Sequence, residues 1–114
     1  MLTIYHNPRC SKSRQTLQII EDKGLDVKVV EYLKTPPTKK ELSEIIQKLG
    51  ITPRQLLRKG EEAYKSMGLD DPKISDSKII SHMLDEPKLI ERPIVVKGAK
   101  AILGRPPENV LDII

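Results

Sequence analysis

At 114 residues the chain has the length of one ordinary domain. Its 38% apolar residues include three Tyr but no Trp or Phe, so the core must be aliphatic, and the aromatic platforms on which single-stranded nucleic acids stack are missing. Twenty basic residues against 16 acidic leave a net charge of +4, split as 12 basic and 6 acidic over residues 1–60 and 8 basic and 10 acidic over residues 61–114. This mild bias suits a small anion better than a long polyanion, and no nucleic-acid partner is expected. No window approaches the roughly 18 consecutive apolar residues of a membrane span. Met1-Leu2-Thr3-Ile4-Tyr5 reads as a strand rather than a secretion signal, so a cytoplasmic protein without a membrane partner is expected.

Thr3 to Tyr5 begins the first strand, which Asn7-Pro8 breaks, because the residue before proline is steered away from helical geometry. Beyond Cys10 a helical stripe of Thr16, Leu17, Ile19 and Ile20 runs toward Gly24, a natural residue just past a helix end. Val27, Val29 and Val30 form a β-branched run typical of a second strand. After Pro36-Pro37, Thr38-Lys39-Lys40-Glu41 has the form of a capping box, and Leu42, Ile45, Ile46 and Leu49 follow at helical spacing up to Gly50. Thr52-Pro53-Arg54-Gln55 repeats the start signal, with Leu56 and Leu57 as its buried side. Ala63, Tyr64 and Met67 predict a short helix ending at Gly68. Ser75 opens another, with Ile79, Ile80, Met83 and Leu84, which Pro87 closes. Ile94-Val95-Val96 and Ala101-Ile102-Leu103 read as strands joined by a turn at Lys97-Gly98-Ala99-Lys100. Pro106-Pro107 opens a last helix with Val110, Leu111 and Ile114. The order β-α-β, helical block, β-β-α predicts an α/β fold of thioredoxin-like type, with one mixed sheet. It is expected as a single domain over residues 1–114, carrying a helical insertion at about 38–87.

The chain has one cysteine, Cys10. One cysteine excludes an internal disulfide and a cysteine-based zinc cluster, and no metal or bound cofactor is expected. A lone cysteine is by default a small buried hydrophobe. Cys10, however, stands at the predicted start of a helix, where free N–H groups and the helix dipole favour a thiolate and can hold an oxyanion. Arg9, Lys12 and Arg14 add positive charge nearby. Cys10-Ser11-Lys12-Ser13 is a Cys-x-x-Ser pattern, a redox pair in which a hydroxyl replaces the second thiol, so an external thiol must resolve any adduct. A cysteine phosphatase loop requires arginine six residues on, where Thr16 stands. His6 could orient the site or be an ordinary residue at a strand end; His82 has no expected role.

The run His6-Asn7-Pro8-Arg9-Cys10-Ser11-Lys12-Ser13-Arg14 resembles the opening H-N-P-x-C-x-x-S-R of the glutaredoxin-linked arsenate reductases of ArsC type. Leu56-Leu57-Arg58-Lys59, Glu91-Arg92-Pro93-Ile94-Val95-Val96 and Gly104-Arg105-Pro106 resemble that family's later motifs, in order and over nearly the whole chain. Its shorter, YfgD-like branch is the nearest in form. The resemblance implies a thioredoxin-like fold, Cys10 as nucleophile, and Arg58, Arg92 and Arg105 as the arginines that hold the oxyanion and stabilise the thiolate. His6, Ser13, Arg14 and Pro93 would support them. Pro93 matches the place where thioredoxin-like folds carry a cis proline, although cis accounts for only about 5–6% of X-Pro bonds generally.

The resemblance also implies the reaction: arsenate, or a similar small oxyanion, forms a thioarsenate adduct with Cys10, glutathione enters as co-substrate, and glutaredoxin releases the arsenite. A monomer is expected. Two other readings share the scaffold. One is a glutathione-dependent thiol/disulfide oxidoreductase without arsenate specificity, against which Arg58 and Arg105 argue, since a disulfide needs no anion clamp. The other is an Spx-like regulator that binds RNA polymerase; those proteins usually carry Cys-x-x-Cys and lack the Gly-Arg-Pro element.

Overall fold

The computed structural model describes residues 2–114, which divide into two compact units. One is discontinuous, formed by the chain up to Thr35 together with Arg92–Ile114. The other is the continuous segment Pro36–Glu91.

The first unit is built on a four-stranded mixed sheet in the order β2-β1-β3-β4. Strand β1 (Leu2–His6) pairs parallel with β2 (Val27–Glu31) and antiparallel with β3 (Ile94–Lys97), which in turn pairs antiparallel with β4 (Lys100–Leu103). Helix α1 (Ser11–Asp22) makes the parallel crossover. Leu2, Ile4, Ile20, Val95 and Val110 form the core, with Leu17, Ile19, Val27 and Ile102 packed against it. This is the expected thioredoxin-like α/β arrangement. The β3–β4 hairpin turns at Gly98, whose φ of 59° lies in the left-handed region that an L side chain disfavours.

Three details depart from the sequence reading. The valine run of β2 is an edge strand, and Val29 is 45% exposed, so β-branching here marks a strand but not a core. The last helix is 3₁₀ over Pro107–Asp112. Its period of three aligns Pro107 and Val110 on the buried side and leaves Leu111 48% exposed, where a helix of period 3.6 was expected to bury it. The start signal at Thr52 is also real, with a complete capping box to Gln55, but it opens only one 3₁₀ turn, Pro53–Leu56.

The second unit is helical. Helix α2 (Lys39–Leu49) begins with the predicted Thr38/Glu41 capping box and ends at Gly50, with φ of 70°. Helices α3 (Glu62–Ser66) and α4 (Asp76–Asp85) follow, then a 3₁₀ turn at Pro87–Leu89. Ser75 caps α4 by accepting from Lys78 N–H. Leu42, Ile45, Ile46, Leu56, Leu57, Leu69, Ile79, Ile80, Met83, Leu89 and Ile90 are buried, all aliphatic or thioether as the composition requires. Among the described residues no helix is long and apolar enough to cross a membrane.

Candidate active site

The β1–α1 junction is folded by its own short-range hydrogen bonds. Cys10 N–H donates to Asn7 O at 3.0 Å and Arg9 N–H donates to Asn7 Oδ1 at 3.0 Å, so the asparagine closes the turn with both backbone and side chain. Ser13 is fully buried. Its hydroxyl accepts from Asn7 N–H at 3.0 Å and lies 2.6 Å from His6 Nδ1. The pattern Cys-x-x-Ser therefore does not aim Ser13 at the thiol; the hydroxyl ties the end of β1 to the first turn of α1. His6 is buried too, and burial holds its pKa below 6.5, helped by Arg14 and opposed by Glu31 and Glu21.

This turn delivers Cys10 to the N-cap of α1 in extended conformation, φ −91° and ψ 122°, without a conventional side-chain capping hydrogen bond. The thiol is partly exposed. Burial pushes its pKa up, yet the net direction is down from the ordinary value. Ser13 N–H, the Arg92 guanidinium, Lys12 N–H and the Arg92 charge together outweigh the desolvation. The expected role of the helix start is thus met. The expected contribution of neighbouring cations is corrected: the cation that acts on the thiol is Arg92, remote in sequence, whereas Arg14 turns away and donates to Pro8 O at 2.9 Å.

Arg92 comes from the segment entering β3. Arg92-Pro93 and Arg105-Pro106 are both cis peptides; the first lies where the family resemblance placed it, and nothing in the residues announced the second. Arg105 Nη1 donates to Arg92 O at 3.2 Å, so these two arginines of the sheet unit are neighbours. Asn109 Nδ2 donates to Leu103 O and Arg105 O, both at 3.2 Å, and fixes the backbone that carries Arg105. Asn109 was not singled out in the sequence, where a lone asparagine in a terminal helix carries no signal. Arg58, the third arginine of the motif set, belongs to the helical unit, where it is ion-paired with Glu91 and Glu61.

Gly104 has a packing reason rather than a conformational one. Its N–H donates to Pro93 O at 2.9 Å, and a β-carbon there would collide with Thr16 Oγ1 and lie 2.7 Å from Pro93 Cγ. Neither neighbour can yield: Thr16 is buried, β-branched and bonded to Lys12 O at 2.8 Å, and the proline ring is closed. Only glycine lets α1, the Arg92-Pro93 segment and the chain before Arg105 approach so closely. Gly104→Ala is expected to destabilise by about 1–3 kcal/mol through overpacking, read as a shifted urea midpoint at constant slope.

The ArsC family matches this chain over residues 5–113. An arsenate reductase of Yersinia enterocolitica is 50% identical over 113 residues, covering 99% of this chain and 80% of that one. The YfgD protein of Escherichia coli (strain K12) is 48% identical over 112 residues, covering 97% and 94% respectively. The solved structure of an arsenate reductase from Vibrio cholerae superposes with a TM-score of 0.96 at 47% identity, covering 99% of this chain and 97% of that one. With the family match over nearly the whole chain and both Arg-Pro segments beside the helix that carries the thiol, the chain belongs to the ArsC family.

Proposed function

We propose that this protein is a cytoplasmic, monomeric arsenate reductase that draws its electrons from glutathione and is recycled by glutaredoxin. The observation that carries the reading is the single thiol at the N-cap of α1, its pKa lowered by two peptide N–H groups and the Arg92 guanidinium. A thiolate attacks; an arginine fork and free N–H groups receive an oxyanion. Disulfide exchange alone would need the first of these and not the second.

In the reaction, the Cys10 thiolate bonds to arsenic of arsenate and an arsenic oxygen leaves as water, taking up protons. Arg92 and Arg105 bind the oxygens from the sheet unit. Arg58 is assigned the same role by its place in Leu56-Leu57-Arg58-Lys59. Arginine suits this because it stays charged and donates two hydrogen bonds to one anion. Reducing As(V) to As(III) takes two electrons, and these are supplied when two thiol sulfurs become one disulfide. Cys10 can provide only one of the two, so glutathione adds, arsenic is reduced, and glutaredoxin clears the resulting mixed disulfide as arsenite departs. The balance is arsenate plus two thiols giving arsenite, a disulfide and water. His6, Ser13, Arg14 and Pro93 serve as supports: His6 and Ser13 hold the turn, Arg14 braces it through Pro8 O, and Pro93 borders Gly104.

The test is arsenite release from purified protein supplied with arsenate, glutathione and glutaredoxin. Wild-type turnover that disappears in Cys10→Ser, and that falls when glutaredoxin is withheld, is the expected outcome. Undiminished reduction by Cys10→Ser would sink the proposal.

A further inference from the structure

Thr16 is a fully buried polar residue of α1. Its hydroxyl donates to Lys12 O at 2.8 Å and lies 3.5 Å from Gly104 O. A hydroxyl has one proton to give, and the two distances assign it to Lys12. Hydroxyls that bond back to the carbonyl four residues earlier are common in helices. What sets this one apart is the carbonyl it meets. Lys12 O and Ser13 N–H are opposite ends of one planar peptide group, and Ser13 N–H is bonded to the Cys10 sulfur. Burial raises the thiol pKa; among the groups that oppose it, Ser13 N–H acts most strongly, ahead of the Arg92 guanidinium and Lys12 N–H. The Lys12–Ser13 peptide therefore has the sulfur at its N–H end and the Thr16 hydroxyl at its carbonyl end.

We propose that Thr16 is a positioning residue for the nucleophile: by bonding Lys12 O it fixes the Lys12–Ser13 peptide and strengthens the hydrogen bond that Ser13 N–H gives to Cys10 Sγ. A proton donated to an amide carbonyl draws electron density toward the oxygen and leaves the N–H of the same amide a better donor. Bonds linked in this way reinforce one another by about 10–30% per bond. The gain falls on the thiolate more than on the thiol, because a hydrogen bond to an anion is the stronger one. With Thr16 buried, its hydroxyl has no water to turn to, so the bond to Lys12 O is held in place. The proposal rests on the reading of Cys10 as the nucleophile and not on which oxyanion it attacks. A purely structural Thr16 makes a different prediction, since its packing against Gly104 would then matter to stability and leave the thiol as it is.

Cys10 is the only thiol in the chain, and tyrosines ionise only at about pH 10, so the ultraviolet absorbance of thiolate against pH reads Cys10 alone. Thr16→Val keeps the branched shape and removes the hydroxyl. It is expected to move the titration midpoint up, with a thiolate fraction about two- to fourfold smaller on the acid limb. Thr16→Ala also lacks the hydroxyl, suits a helix and leaves more room beside Gly104, so it moves the midpoint the same way and stands in if the valine variant does not fold. Thr16→Ser keeps the hydroxyl and titrates as the wild type does. The shift caused by Thr16→Val persists in an Arg92→Ala background, because the peptide acts without the guanidinium. A titration unchanged in the hydroxyl-free variants, a Thr16→Ser shift as large as theirs, or a shift that vanishes with Arg92 overturns the proposal. Arsenite release by the wild type judges the reductase reading separately: a thiol that responds as described in a protein that does not reduce arsenate would leave Thr16 its role and remove the reductase.

Discussion

Arg92→Ala is expected to raise the Cys10 thiol pKa toward its ordinary range and to cut arsenate turnover by about 10²–10³-fold, as loss of a preorganised donor does in other active sites. Two effects combine. The guanidinium hydrogen-bonds the sulfur and also acts on it as a charge, so its removal leaves burial opposed only by the two N–H groups of Ser13 and Lys12. The oxyanion also loses a ligand. Arg92→Lys separates them: it restores a charge but not a planar fork, so the thiol pKa recovers more than the turnover. The rate of Cys10 alkylation against pH reads the first effect, and the arsenate KM reads the second. An alkylation profile for Arg92→Ala that overlays the wild type would show that the helix start alone sets the thiol.

Ser13→Ala is expected to destabilise the fold by about 2–4 kcal/mol. The hydroxyl is fully buried and serves two buried partners, Asn7 N–H and His6 Nδ1. Its loss strands both, and each stranded group carries a desolvation penalty of about 1–3 kcal/mol. A pH signature accompanies it. His6 is buried beside the Ser13 hydroxyl, and burial favours its neutral imidazole. The folded His6 pKa lies below 6.5, so as pH falls from that value the unfolded chain takes up a proton before the folded one does. Stability associated with His6 is therefore complete above about pH 6.5 and is lost as pH falls through the folded pKa. Denaturation of wild type and Ser13→Ala across this range checks both claims. A wild-type stability that rose on acidification through this window would contradict the assignment.

Much of this could be read from the residues because it depends on neighbours in sequence. The Thr38/Glu41 capping box, the α4 start at Ser75 and the turn at Gly98 are local matters of dihedral angle and orphan N–H groups, and each stands where the pattern put it. The placement of Cys10 at a helix start was legible for the same reason. What could not be read depends on residues far apart in the chain. Arg9, Lys12 and Arg14 are the cations that sequence proximity offers to the thiol, yet Arg92 is the one that touches it. Gly104 looks like a turn residue until Thr16 and Pro93 are seen against it. The 3₁₀ form of the last helix follows from which side of Pro107 and Val110 meets the core, which periodicity over six residues cannot decide. The motif resemblance named Arg92 for the thiol without a reason; the reason is the antiparallel docking of β3 beside β1.

That docking also sets when the thiol becomes reactive. β1, α1 and β2 all emerge before residue 36, but β3 and the arginine preceding it follow only after the 56 residues of Pro36–Glu91 have been made. During synthesis the cysteine therefore spends most of the time without its guanidinium, with a thiol closer to ordinary acidity. Its activation is coincident with closure of the sheet. A chain that ends before residue 92 has the helix-start N–H groups but not this guanidinium, so alkylation of Cys10 becomes a chemical clock for the arrival of the C-terminal hairpin.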